Sequence, residues 1–244
     1  MRSRLFASSL LALAAMLVVT PAIGAQSGDP YADGLTAGDY LRISGGMISP
    51  VHPQGSLKDW DRGKTLALAW EGWQSGSGGV GRLGFGVTAD YSRLPLNQAQ
   101  FISEFAPASG GTTTSATASS ATAFSIGTNL RLRIPSPLIM PSIEFGFGYL
   151  DFNPTTVHYV ATTGSGDVTQ RHRRGAALSF GAGLDKQVVN KFAVFGEAVY
   201  TYGFTSLGYG FATPGGTCAT NGCDVLKNTT LGVIRGGLRV QMGR

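Results

Sequence analysis

The 244-residue chain carries a formal charge of +5, and only 14% of its residues are charged, against about a quarter in a soluble protein. Removing Arg2 and Arg4, which fall in a leader-like N-terminus, leaves +3, too mild a balance for nucleic-acid binding. With 36 glycines and period-two alternation throughout, the composition describes β-structure in which one face avoids both water and charge.

Residues 1–25 have a basic head (Arg2, Arg4), an apolar run from Leu5 to about Val19, and small residues up to Ala25. This is the anatomy of a cleaved signal peptide, and the apolar run is shorter than the roughly twenty residues a membrane-spanning helix needs. Residues 26–37 read as a short periplasmic tail, and 38–244 as one domain of a size that suits a single all-β unit.

In chain order, the first segments are YLRISGGMIS (40–49), TLALAWEGWQ (65–74) and RLGFGVTADYS (82–92). The third places Leu83, Phe85, Val87, Ala89 and Tyr91 on one face and Gly84, Gly86, Thr88 and Asp90 on the other. FSIGTNLRLRI (124–134) alternates as cleanly, with Arg131 and Arg133 wedged between leucines. PSIEFGFGYLD (141–151), GAALSFGAGLDK (175–186), FAVFGEAVYTYGF (192–204) and TLGVIRGGLRVQM (230–242) complete eight segments of about ten residues, the length of a tilted transmembrane strand. The connections alternate in length: SGSGG, PSPLIMP and KQVVNK are short, and those around 97–120, 152–174 and 205–227 are long. Sorting by length is expected of a transmembrane barrel with short periplasmic turns and long extracellular loops. Within the long connections, 155–174 reads as a hairpin, and the Thr-rich run 112–123 as a protruding continuation of the fourth strand.

In lipid, an open sheet edge is not tolerated, so eight such strands must close on themselves. The fold class expected is therefore all-β: an eight-stranded antiparallel up-and-down transmembrane β-barrel. Parity then sends Arg42, Arg131, Arg133, Arg235 and Arg239 into the lumen, together with Glu71, Asp90, Glu144, Asp185 and Glu197. An eight-stranded lumen is just wide enough for side chains to fill, so these charges must pair. If Ile134 faces Pro141 across the PSPLIMP turn, Arg131 lies opposite Glu144. Trp70, Trp73, Tyr91, Tyr149, Tyr200, Tyr202 and Phe204 lie near strand ends and are candidates for interfacial belts.

The remaining chemistry is sparse. Cys218 and Cys223 enclose a turn-prone ATNG and read as a loop disulfide, because no further Cys or His accompanies them as a metal site would require. His52, His158 and His172 fall in loops, with no serine elbow beside them. Neither a cofactor nor a metal is expected, and alternate glycines without a strand–loop–helix context exclude nucleotide binding. Arg171, Arg173 and Arg174 mark the return of a long loop to the membrane and are candidates for lipopolysaccharide phosphates.

Taken together, YLRISGGMISP, FGEAVYTYGF and the final strand resemble the eight-stranded outer-membrane β-barrel family that includes the transmembrane domain of outer-membrane protein A. The final strand is similar to the assembly signal of such barrels through Arg235, Gly237, Val240 and Met242, with Met242 where the family has an aromatic. The resemblance implies residence in the bacterial outer membrane, with outer-membrane lipid, lipopolysaccharide and the barrel assembly machinery as partners. Such a fold does not by itself choose among roles; the balanced lumen charges and the lack of a serine elbow favour a non-enzymatic barrel with a closed lumen, supporting the envelope and presenting surface loops. The alternatives are a narrow channel for small solutes and a lipid A-modifying enzyme.

Overall fold

The computed structural model describes residues 38–52, 55–73, 82–105, 112–134, 136, 138–170, 172–189, 191–205 and 228–242. The leader (1–25), the tail (26–37), Cys218, Cys223 and Arg171 lie outside them.

Eight strands form a closed barrel: β1 (Gly38–Pro50), β2 (Gly63–Trp73), β3 (Arg82–Leu94), β5 (Ala121–Arg133), β6 (Met140–Asn153), β9 (Arg173–Val189), β10 (Phe192–Gly203) and β11 (Thr229–Met242). Each pairs antiparallel with its neighbours in chain order, and β11 returns to β1 through a ladder from Asp39–Met242 to Pro50–Leu231. This closure leaves the barrel no free edge. One end carries the connections 74–81, 134–139 and 190–191. The other carries 51–62 and the long excursions, as the strand bounds require.

The alternation of the sequence becomes the two walls of the barrel. Leu66, Leu68, Phe85, Phe147, Phe180 and Leu238 all point outward and stay roughly half exposed, while the residues between them are small, polar or charged and point inward. Glycine matters where the inward face is crowded. A Cβ at Gly84 would meet the Trp73 ring at 2.7 Å, and one at Gly148 would run into the Ile126 carbonyl oxygen of the adjacent strand. Neither position tolerates a side chain without movement.

Beyond the loop end stands a second layer. Strands β4 (Thr113–Thr117), β7 (Val157–Ala161) and β8 (Gly164–Val168) form a separate three-stranded sheet in the order β4-β7-β8. The 155–174 hairpin is present, but the Thr-rich run continues the fourth barrel strand only through 121–123, where β5 begins at Ala121; its earlier part, ending at Thr117, is β4 of the separate sheet. Helix α1 (Gln98–Phe105), not expected from the sequence, packs Phe101 and Phe105 with Ala116, Val157 and Tyr159 in a small core of its own. Asn97 caps it, its side-chain oxygen accepting the Gln100 N–H at 3.2 Å.

Candidate functional site

Every barrel strand contributes to one buried charge network. Arg42 comes from β1, Glu71 from β2, Asp90 from β3, Arg131 and Arg133 from β5, Glu144 from β6, Asp185 from β9, Glu197 from β10, and Arg235 and Arg239 from β11. The turn geometry sets part of this directly. The Ile134 N–H donates to the Pro141 carbonyl at 2.9 Å, and the ladder that follows puts Arg131 opposite Glu144.

Glu197 is the hub. It accepts from Arg42 at 2.5 Å, from Arg131 at 2.7 Å and from Arg235 at 2.5 Å. Glu71 accepts from Arg42 at 2.7 Å and lies 3.5 Å from Arg131. Arg131 also pairs with Glu144, and Arg235 with Asp90. Towards the tight-turn end, Asp185 lies between Arg133 and Arg239, 3.1 Å from each. Arg239 is fully buried and Arg133 is 2% exposed. Charges held this deep are stable only when paired, because the desolvation of each ion must be offset by its neighbours. Asn129 extends the network with dipoles, donating to Glu144 at 3.3 Å and to Thr88 at 3.0 Å.

Aromatic rings close the network below. The Arg133 guanidinium lies 3.7 Å from the centroid of the Trp73 ring, and Arg42 lies 3.9 Å from that of Phe195. Both are cation–π distances. Trp73 also donates to Glu71 at 3.1 Å and packs with Tyr40 and Met140. This corrects its assignment to an interfacial belt: Trp73 shares the parity of Glu71 and is a lumen residue. Trp70, Tyr91 and Tyr149 do face outward, as their exposure shows, and the rings of Tyr202 and Phe204 meet edge-on at 5.0 Å.

The basic loop return is split. Arg173 is buried at 1% exposure, opposite Phe152 in the ladder, whereas Arg174 is exposed and opposite Asp151. Strand β9 begins two residues earlier than the alternation suggests, and adjacent strand residues take opposite faces. Arg173 and Arg174 therefore do not form one outward cluster.

The histidines are separate from the lumen. His158 pairs with Asp167 at 2.8 Å on the β7–β8 hairpin, and His172 pairs with Asp151. Among the described residues no serine hydroxyl is bonded to either ring. On the last strand, Arg235 and Gly237 have inward parity, and Val240 and Met242 have outward parity.

No family model matches the sequence, and no curated protein does. Solved structures do resemble it. Neisserial surface protein A matches at a TM-score of 0.45 with 14% identity, over 84% of this chain and 98% of that one. A major outer membrane protein from Thermus thermophilus matches at 0.48 with 13% identity, over 85% and 100%. The outer membrane enzyme PagL matches at 0.40 with 15% identity, over 84% and 99%. At these scores the likenesses add nothing to what the ladders already establish: the chain is a closed eight-stranded antiparallel β-barrel, apolar outside and charge-paired within.

Proposed function

We propose that this is a non-enzymatic integral protein of the bacterial outer membrane, exported by its N-terminal leader, with a lumen closed by its own ion pairs. In this reading it supports the envelope and presents the loop-end layer for interactions. The observation that carries the reading is inverted polarity. Leu66 is 61% exposed and Phe147 is 58% exposed, while Arg239 and Asp185 are 0% and 1% exposed. An apolar band of this extent suits lipid rather than water. Narrow-channel activity finds no support in a lumen whose centre is filled by bonded guanidinium and carboxylate groups.

Heat-modifiable gel mobility and single-channel conductance of refolded protein test this together. The expected result is a mobility shift with no steady conductance; a stable conductance sinks the closed lumen, and an absent shift sinks the barrel. Assembly through Arg235, Gly237, Val240 and Met242 belongs to the same proposal, as does phosphate contact through Arg174, the one of the two described arginines of the loop return that faces outward. A second reading, a lipid-modifying enzyme, rests on the His172–Asp151 pair. Release of fatty acid from lipid A by the refolded barrel, abolished by His172→Ala, would replace the first.

A further inference from the structure

The lumen is not filled evenly. Between the charge network and the loop-end mouth lies a cavity of about 70 Å³, several times the roughly 10–15 Å³ that one water needs. Its floor is Asp90, Asn129, Glu144 and Arg235; its side walls include the hydroxyls of Ser125 and Ser179; its roof includes Leu150 and Leu231. The space exists because β5, β6 and β9 present Gly127, Gly148 and Ala177 to it, three positions aligned across two ladders.

One inward step closer to the mouth, Leu94, Ala121 and Phe152 follow on their strands. Leu57 and Trp60, from the β1–β2 connection, pack onto them in a single apolar cluster. Leu57 is at 0% exposure and Trp60 at 2%. Burial this complete of two loop side chains in the mouth of a barrel makes the 3₁₀ turn Gly55–Asp59, with Trp60, a stopper.

The stopper is held on two sides, to the outer layer through Gln170 and to the chain just beyond β3 through an antiparallel bridge between Trp60 and Leu96. The Trp60 indole N–H donates to Gln170 at 2.8 Å, and Gln170 donates to Asp59 at 2.6 Å. The Asp59 carbonyl accepts the Asn97 N–H at 2.6 Å, and Asp61 N–H donates to the Pro95 carbonyl at 2.9 Å. Asn97 is the cap of α1, and Gln170 follows the β7–β8 hairpin. Withdrawing the stopper therefore breaks the Trp60–Leu96 bridge just beyond β3 but leaves the eight barrel ladders themselves intact.

We propose that Gly55–Trp60 is a removable stopper over a blind chamber that admits small uncharged solutes from the loop end. The selectivity follows from the floor. Asp90 is bonded to Arg235 and Ser125, and Glu144 to Arg131 and Asn129, so an entering ion finds no free counter-charge to offset its desolvation. A neutral solute finds hydroxyls beside an apolar roof. The chamber is blind because the charge network closes it below, and in that respect the inference rests on the closed-lumen reading.

The test uses Ser125→Cys in a background carrying Cys218→Ser and Cys223→Ser, refolded and checked by heat-modifiable mobility. Small, uncharged methyl methanethiosulfonate reports access to the chamber. Combining Leu57→Ala and Trp60→Ala should speed labelling by about tenfold or more, because labelling follows the population of the open form. The negatively charged sulfonatoethyl reagent should stay slow in both proteins, and neither protein should conduct. Equal methyl labelling with and without the stopper overturns the proposal, as does slow labelling in both or rapid labelling by the charged reagent. Conductance that appears only on stopper loss overturns the blind chamber; conductance with the stopper in place sinks the closed-lumen reading instead. If the double alanine variant fails to fold, Gln170→Ala cuts the outer-layer tether alone and should still speed methyl labelling; unchanged labelling there overturns the proposal equally.

Discussion

Arg131 and Glu144 stand directly opposite each other across the β5–β6 ladder, and their side chains join in the lumen. Such a pair is local, set by one tight turn. The same Arg131 guanidinium also reaches Glu197 on β10, so a contact set by a hairpin is extended into one that only the closed barrel can make.

Glu197 should therefore be the costliest single carboxylate to remove. Its loss leaves Arg42, Arg131 and Arg235 each short of a bonded partner. Breaking one side of a buried pair costs about 3–5 kcal/mol, and urea unfolding of Glu197→Ala should lose at least that range. A loss below about 1 kcal/mol, the value of an exposed pair, would show that the network is solvated.

Leu68 sits midway along β2 on the outer wall, beside Ile43 and Ala89 in the flanking ladders. In lipid, Leu68→Arg should cost about 2–4 kcal/mol. Thr114→Arg, on the exposed part of the outer sheet, should stay within about 0.5 kcal/mol. Equal effects at the two sites, measured by refolding yield and unfolding in vesicles, would remove the lipid-facing wall.

Gly84→Ala drives a methyl group into the Trp73 ring. Overpacking of this kind costs about 1–3 kcal/mol, and Trp73→Phe should recover part of it in the double variant. Additive losses in that cycle would mean that the ring does not occupy the space over Gly84.

The three tryptophans occupy three environments: Trp60 in the stopper, Trp73 under Arg133, and Trp70 on the outer wall. In vesicles of brominated lipid, a variant keeping only Trp70 should be strongly quenched. Variants keeping only Trp60 or only Trp73 should retain most of their emission. Strong quenching of Trp73 would return it to an interfacial belt and reverse the parity of β2.

Much of this is legible in the sequence. Period two gives a strand's two faces directly, so the inward parity of all ten network residues, and the Arg131–Glu144 register, follow from alternation and one turn. What escapes is whatever alternation does not encode. Position near a strand end suggests a belt for Trp73, although its parity with Glu71 already places it inside. Arg173 reads as loop because β9 begins before the apolar alternation does. Helix α1 is a single short stretch in a polar excursion, and its cap, Asn97, is equally at home in a turn. The stopper leaves no signal either, since Leu57 and Trp60 are isolated apolar residues in a loop and only the mouth of the closed barrel gives them something to bury against.

The last strand supplies Arg235 and Arg239, two of the five guanidinium groups at the centre of the molecule. Until β11 pairs with β1, the carboxylates of the earlier strands lack those counter-charges, and a partly formed sheet entering lipid would expose them on its inner face. Insertion and closure are thus thermodynamically coupled: the bilayer rewards the outer wall only once the final strand has neutralised the interior, which favours one concerted transition over strand-by-strand entry.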